Sequence, residues 1–311
     1  MAYLYGRLIC VFLSVLGALC LYFSMDYETP FKVTPVFSKR ANGAFLQLPD
    51  TACERNAPFL VLLVTSAPQQ AAARSAIRST WGRERTVRGK RVRALFLLGA
   101  TPSRDLARAV AREGQQHRDT VQKDFLDTYD NLTLKTMMGM EWVHRYCPQA
   151  AFAMKTDSDM FINVDYLVEL LLKRNQTSRF FTGFLKMNEF PIRKKYNKWF
   201  VSKYEYPWDK YPPFCSGTGY VFSGDVASLV CGVAASVPFI RLEDVFVGLC
   251  LAELHIRPVP LHSEQTFFPE GLAFSTCRFR KVVACHFVKP QEMQMYWRAL
   301  ETSLGEECPG D

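Results

Sequence analysis

Asp157 and Asp159 stand one residue apart at the end of a short apolar run, residues 150–154, with Lys155 and Thr156 between. Two carboxylates at i and i+2 in a tight turn can converge on one hard divalent cation through oxygen, and that cation can hold a diphosphate. The same spacing also describes a solvated turn or a helix cap. Two further features carry chemistry. Glu243-Asp244 opens an apolar stretch that reads as a helix to residue 254, where acids serve as a base or as a cap. His286 ends the apolar segment 282–285, where an imidazole serves as a ligand or as a packed, hydrogen-bonded side chain. Gly217 and Gly219 would let backbone approach a ligand closely.

These residues need a frame. Residues 59–64 are continuously apolar, as expected of a strand covered on both faces. A helix is expected over 69–80, a second buried strand over 93–98, a polar helix over 103–116 and a short strand over 120–123. A helix over 132–146 then stops before Pro148, and the strand carrying the Asp pair follows. Asn163 is placed to cap a helix reaching residue 172. Residues 180–184 read as a further strand. Alternating strands and helices predict an α/β fold, a mixed, mostly parallel sheet flanked by helices with ligands at the carboxyl ends of the strands. The Asp pair falls at that edge. Between 198 and 225 aromatics are dense, and Trp199, Trp208 and Tyr211 are candidate platforms for a sugar's apolar face.

The chain has 311 residues, 49% of them hydrophobic, enough for one large core. Its net charge of +8 is concentrated in a run from Arg83 to Arg93 that reads as a solvated loop. Basic residues interleaved with stacking aromatics, as nucleic acid requires, are not visible, so no nucleic-acid partner is expected.

Residues 8–25 are apolar and uncharged, preceded by Arg7 and followed by Asp26 and Glu28. This predicts a transmembrane signal-anchor with a cytoplasmic tail at 1–7 and the remainder across the membrane. A cleaved signal peptide is the competing reading, but the apolar part is long and no A-x-A-like site follows. Residues 26–57, punctuated by prolines, read as a stem, and 58–311 as the folded domain, beginning at Phe59. Eight cysteines lie beyond the anchor without a C-x-x-C pair; in an oxidising lumen most should be disulfides. Asn131 and Asn175 each begin an N-glycosylation sequon.

Five motifs occur in order: Arg74-x-x-x-Arg78-x-Thr80-Trp81-Gly82, Asp130-Asn131-Leu132-Thr133-Leu134-Lys135-Thr136, Lys155-Thr156-Asp157-Ser158-Asp159, Cys215-Ser216-Gly217-Thr218-Gly219-Tyr220 and Glu243-Asp244-Val245-x-x-Gly248. This ordered set resembles the β-1,3-galactosyltransferases and their β-1,3-N-acetylglucosaminyltransferase relatives over about residues 58–300. The resemblance implies a GT-A fold, Golgi residence as a single-pass type II membrane protein, and an inverting transfer that uses Mn²⁺. It implies UDP-galactose as donor and a glycan ending in N-acetylglucosamine, or N-acetylgalactosamine, as acceptor. Transfer of N-acetylglucosamine is the rival within the class; an inactive lumenal glycan-binding protein and a membrane-anchored nucleotidase are rivals outside it. By the same resemblance Asp244 is the base with Glu243 its neighbour, and Asp157, Asp159 and His286 hold the metal. Ser158 falls on the donor motif with the two aspartates. Thr65, Ser66, Arg74 and Arg78 lie where the nucleotide binds, and Lys135 is a further donor-site candidate. Cys231 stands outside the pattern and reads as a free thiol.

Overall fold

A computed structural model describes residues 43–49, 53–174, 176–303 and 307–308. The central sheet has eight strands, in the order β1 (Phe45–Gln47), β5 (Thr120–Leu126), β4 (Lys90–Ala100), β2 (Leu60–Thr65), β6 (Phe152–Asp157), β9 (Phe214–Ser223) and β8 (Phe181–Lys186), with β3 (Arg85–Val87) beside β4. The four middle strands β5, β4, β2 and β6 run parallel. Strands β1, β3, β8 and β9 join their neighbours antiparallel. Every residue of β2 is buried, as its unbroken apolar run requires of a central strand. Its side chains nonetheless divide between two cores: Val61 and Leu63 face one, Leu60, Leu62 and Val64 the other.

Helices cover both faces. On one lie α3 (Leu132–Tyr146), α5 (Gly224–Val233) and α6 (Glu243–Glu253), with Met137, Trp142, Val230 and Phe246 in the core. On the other lie α1 (Ala71–Arg78), α4 (Val164–Arg174) and α8 (Pro290–Thr302), contributing Ile77, Leu167 and Trp297. The polar α2 (Arg104–His117) buries only Val110. Local signals set these boundaries. Ser103 caps α2 by accepting from the Leu106 N–H, and Asn163 caps α4 by accepting from the Tyr166 N–H. The basic run at 83–93 forms the β3–β4 hairpin, not a solvated loop. Its arginines pair with Glu84, Asp165 and Glu169.

A second, three-stranded sheet matters for the site. In it β11 (Ala284–Cys285) pairs antiparallel with β7 (Phe161–Ile162) and parallel with β10 (Phe267–Phe268), just after the short helix α7 (Thr276–Arg280). The register sets Cys285 opposite Phe161, and the Val288 N–H donates to the Asp159 carbonyl. His286 is thereby carried to the Asp pair from the far end of the chain.

Ordered structure starts earlier than Phe59. Phe45–Gln47 adds an edge strand to β5, and Cys53 is joined to Cys147 at the end of α3. Cys277 and Cys308 form a second disulfide. Cys215, Cys231, Cys250 and Cys285 are free thiols, so the expectation that most lumenal cysteines pair is not met among the described residues. Cys215, Cys250 and Cys285 are buried as small apolar side chains. Burial pushes the Cys215 and Cys231 thiols up to about 12. No described helix is long and apolar enough to cross a membrane. The apolar stretch at 8–25 and Asn175 both lie outside the described residues.

Candidate active site

Lys155 is the centre of the site. It sits in β6 among apolar neighbours, its side chain 3% exposed. A buried ammonium must be matched by carboxylates and acceptors. Its Nζ lies 2.7 Å from Asp157 Oδ1 and 2.8 Å from Glu243 Oε1, and it donates to the Gly217 carbonyl. Burial alone would lower its pKa. The facing carboxylates Asp157 and Glu243 outweigh that and hold it above the ordinary lysine value.

The sheet explains this convergence. In register, Thr65 pairs with Asp157 and Lys155 with Tyr220, so the carboxyl ends of β2 and β6 meet the strand that carries Gly217. Helix α6 packs on β9, and Gly248 permits it: a Cβ there would lie 2.6 Å from Phe214 Cβ. The N-terminus of α6 is thus aimed at Lys155, and its first two residues are Glu243 and Asp244. The positive end of the helix dipole favours negative charge there.

Glu243 is buried. Its Oε2 accepts from the Tyr220 hydroxyl at 2.8 Å, while Oε1 has the Lys155 ammonium nearby without a well-aligned hydrogen bond. Burial raises its pKa against the pull of Lys155. Asp244 is half-buried. Its Oδ1 accepts from the Val245 N–H at 2.9 Å and its Oδ2 from the Gly217 N–H at 3.1 Å. Burial raises its pKa, restrained by those two N–H donors. The result is a carboxylate of fixed orientation and heightened basicity, which can accept a proton from a hydroxyl brought to it.

On the other side of Lys155, Asp157 Oδ1 also accepts from Thr65 Oγ1 at 2.6 Å. Asp159 is the more open carboxylate, its side chain 55% exposed, and its Oδ2 lies 3.3 Å from His286 Nε2. His286 Nδ1 lies 2.9 Å from the Pro269 carbonyl, which can only accept, so Nδ1 carries the hydrogen. That leaves Nε2 directed at Asp159. Burial lowers the imidazole's pKa, but the Asp159 contact outweighs it and the net shift is upward.

Does this set suit a divalent cation? Among the described residues no group of three or more His, Cys, Asp or Glu side chains is gathered to hold a metal unaided. The expected trio is not closed, because one Asp157 oxygen is already held by Lys155 and Thr65. Asp159 with His286 does fit an open half-site. An imidazole whose Nδ1–H is fixed by a carbonyl is oriented as metal-bound imidazoles are, and diphosphate oxygens can fill the remaining positions. Charge supports the fit. Asp157, Glu243 and Asp244 face one lysine, so the pocket carries surplus negative charge where an anionic donor would have to enter.

The other residues singled out from sequence fall into three groups. Arg74 is buried and spends all five of its N–H donors within the protein, on Glu113, Ser66 Oγ and the Ala67 and Pro68 carbonyls. Arg78 pairs with Glu113 and Asp119 and stacks over Phe96. Both guanidiniums are engaged within the protein: Arg74 braces the turn after β2, and Arg78 ties α1 to Glu113 and Asp119. Lys135 is buried as well, its Nζ donating to the Ser66 carbonyl at 2.6 Å and to Asp127 at 2.7 Å. Burial lowers its pKa, opposed by Asp127. Ser158 is buried, its hydroxyl donating to Gln70 Oε1 at 3.2 Å, while Gly219 lies against Met154 and Thr156. The expected aromatic platforms divide. Trp199 and Trp208 are exposed, whereas Tyr211 is buried against Tyr206 and Phe214. A concavity of about 470 Å³ at the opposite ends of β2, β4 and β6 holds no carboxylate or histidine among its lining residues.

Three contributors were missed in the sequence. Lys155 stands within the third motif, and a lysine in a central strand signals carboxylate partners. Tyr129, in the turn before α3, lies within electrostatic range of Asp244 and Asp157 beside Trp199, and burial raises its pKa. Arg241 pairs with Asp130 at 2.7 Å and donates to the Lys198 and Phe200 carbonyls, tying the Trp199 loop to the entry of α6. Neither of the last two carries a signal in one sequence. Asn131 donates to the Leu126 carbonyl, and the sequon's Thr133 hydroxyl is buried on the Ile240 carbonyl at 2.7 Å.

A family model described as Galactosyltransferase matches residues 72–262, which span every element of this site except β2 and His286. The chain belongs to the galactosyltransferase family. Beta-1,3-galactosyltransferase 5 of Homo sapiens is 66% identical over 309 residues, 99% of this chain and 99% of that protein. The mouse protein of that name is 63% identical over the same shares. Beta-1,3-galactosyltransferase 2 of Homo sapiens is 44% identical over 260 residues, 82% of this chain and 62% of that protein. The resemblance carried by the five ordered motifs is thereby borne out.

Proposed function

We propose that this enzyme moves galactose from UDP-galactose to the 3-hydroxyl of a terminal N-acetylglucosamine, or N-acetylgalactosamine, on a glycoprotein or glycolipid glycan, forming a β-1,3 linkage with inversion. Asp244 takes the proton of the attacking hydroxyl, and the Gly217 and Val245 N–H groups hold it in line. Glu243 and Lys155 keep Asp244 and Asp157 on opposite sides of one small space. Asp159 and His286, with Asp157 behind them, would hold Mn²⁺, which when bound neutralises charge on the departing diphosphate. Thr65, Ser66 and Ser158 line the donor side, braced by Arg74, Arg78 and Lys135. Trp199, with Trp208 beyond it, forms the acceptor side, and buried Tyr211 supports it from within through Tyr206. The observation that carries this reading is an oriented carboxylate, Asp244, held on the Gly217 N–H while Lys155 joins the Gly217 carbonyl to Asp157. Inversion needs one base and no second nucleophile.

The GT-A assignment belongs to the same reading, as does single-pass type II residence in the Golgi with tail 1–7, anchor 8–25 and stem 26–57. Two disulfides support an oxidising compartment. The test is a donor-by-acceptor matrix, with and without manganese. UDP-galactose should be used and UDP-N-acetylglucosamine not. Asp244→Asn should lower kcat on the order of 10²–10⁴-fold while UDP binding persists. Near-normal turnover of that variant would remove Asp244 from the role.

A further inference from the structure

The segment 186–210, between β8 and β9, is unlike the rest of the surface. Fourteen large apolar side chains are exposed among the described residues, and six of them fall here: Met187, Phe190, Tyr196, Trp199, Tyr204 and Trp208. Tyr196 and Tyr204 are 85% and 88% exposed. The same segment holds seven lysines and arginines against three acids. Lys198 lies 4.4 Å from the Trp199 ring and Lys210 5.3 Å from the Phe190 ring. The loop is nevertheless built. Arg193 donates to the Val201, Tyr206 and Trp208 carbonyls, and the Val201 N–H donates to the Ile192 carbonyl. Exposed aromatics on an ordered backbone are thus displayed outward rather than left over from a collapsed coil.

We infer that this loop docks on the surface of the lipid bilayer, so that a lipid-borne acceptor is presented to Asp244. Aromatic rings seat at the headgroup boundary, and lysines beside them meet headgroup phosphates; their apolar stems can lie along the same boundary. The location fits. Arg241 ties the loop at Lys198 and Phe200 to the residue pair that opens α6, so a headgroup sugar reaching Trp199 arrives beside the base. The inference rests on the proposed transfer for its purpose, but its physical claim is bilayer contact.

Tryptophan fluorescence tests it on the full chain. Of the five tryptophans, Trp81, Trp142 and Trp297 are buried, so only Trp199 and Trp208 report from the surface. The chain is reconstituted in phosphatidylcholine vesicles with and without phosphatidylserine, and brominated lipid serves as quencher. Emission should be quenched, more strongly with phosphatidylserine. A variant combining Lys194→Glu, Lys195→Glu, Tyr196→Ser and Tyr204→Ser should lose that quenching. It should turn over a glycolipid acceptor in those vesicles about tenfold more slowly, while a soluble oligosaccharide acceptor is used at an unchanged rate. The unchanged rate also shows that the variant folds. Absence of quenching in the parent chain overturns the inference, as does equal loss on both acceptors. Loss confined to an acidic soluble oligosaccharide, without quenching, would assign the loop to an acidic glycan instead. Failure of the parent chain on every acceptor would strike the proposed transfer and leave the quenching result standing by itself.

Discussion

Gly217 shows how closely the chemistry is packed. A Cβ at this position would lie 2.5 Å from Glu243 Oε1 and 3.4 Å from Asp244 Oδ2. Glu243 has little room to retreat, because Lys155 and Tyr220 hold its two oxygens. Gly217→Ala should therefore shift the carboxylate pair and lower kcat by about 10²-fold, as misplacements near 1 Å do. Steady-state rates set beside thermal melts would separate this from unfolding. Asp159 makes the complementary case on the donor side. Asp159→Ala should weaken UDP binding in manganese by at least about tenfold, read by calorimetry, with metal-free binding little changed. At this scale the sequence exposed the carboxylates, because acids at turns and helix starts stand out. It did not disclose their partners. Arg74 and Arg78 read as donor contacts but are consumed by Glu113, Asp119 and the turn after β2. Whether a guanidinium is free depends on Glu113 and Asp119, 35 and 41 residues away.

The elements were more legible. Apolar runs and caps marked β2, β6, α3, α4 and α6 within a few residues, since each depends on its own periodicity and ends. The pairing of β11 with β7 was not legible. Both strands are two residues long, and only their register takes His286 to Asp159. The brace between α1 and α2 has a pH signature. Burial alone would raise the Glu113 pKa, but Arg74 and Arg78 outweigh it and hold the carboxyl below its ordinary value of 4.5. A folded pKa below the unfolded one means stability that is present above about 4.5 and lost as pH falls through the folded value. Glu113→Gln should thus cost about 3 kcal/mol at neutral pH, since it strands the buried Arg74 guanidinium. The gap from the parent protein should narrow in melts as pH falls below 4.5 and through the folded value.

Across the whole molecule, the stretch read as a stem contributes to the fold. Phe45–Gln47 extends the sheet, and Cys53 closes a loop of sequence separation 94 onto the end of α3. Three residues on an edge give no periodic signal, so the first strand legible in the sequence is the apolar run from Phe59. Cys53→Ser should lower unfolding free energy by about 4 kcal/mol in urea titrations, because a long loop regains its freedom in the unfolded chain. The Asn131 sequon is half-buried, with its Thr133 buried. With the Thr133 hydroxyl committed to Ile240 and the Asn131 amide to Leu126, the tripeptide is legible to a sugar-adding enzyme only before α3 docks. Any glycan at Asn131 would therefore have to be attached while the chain is being made, before tertiary structure closes over the tripeptide.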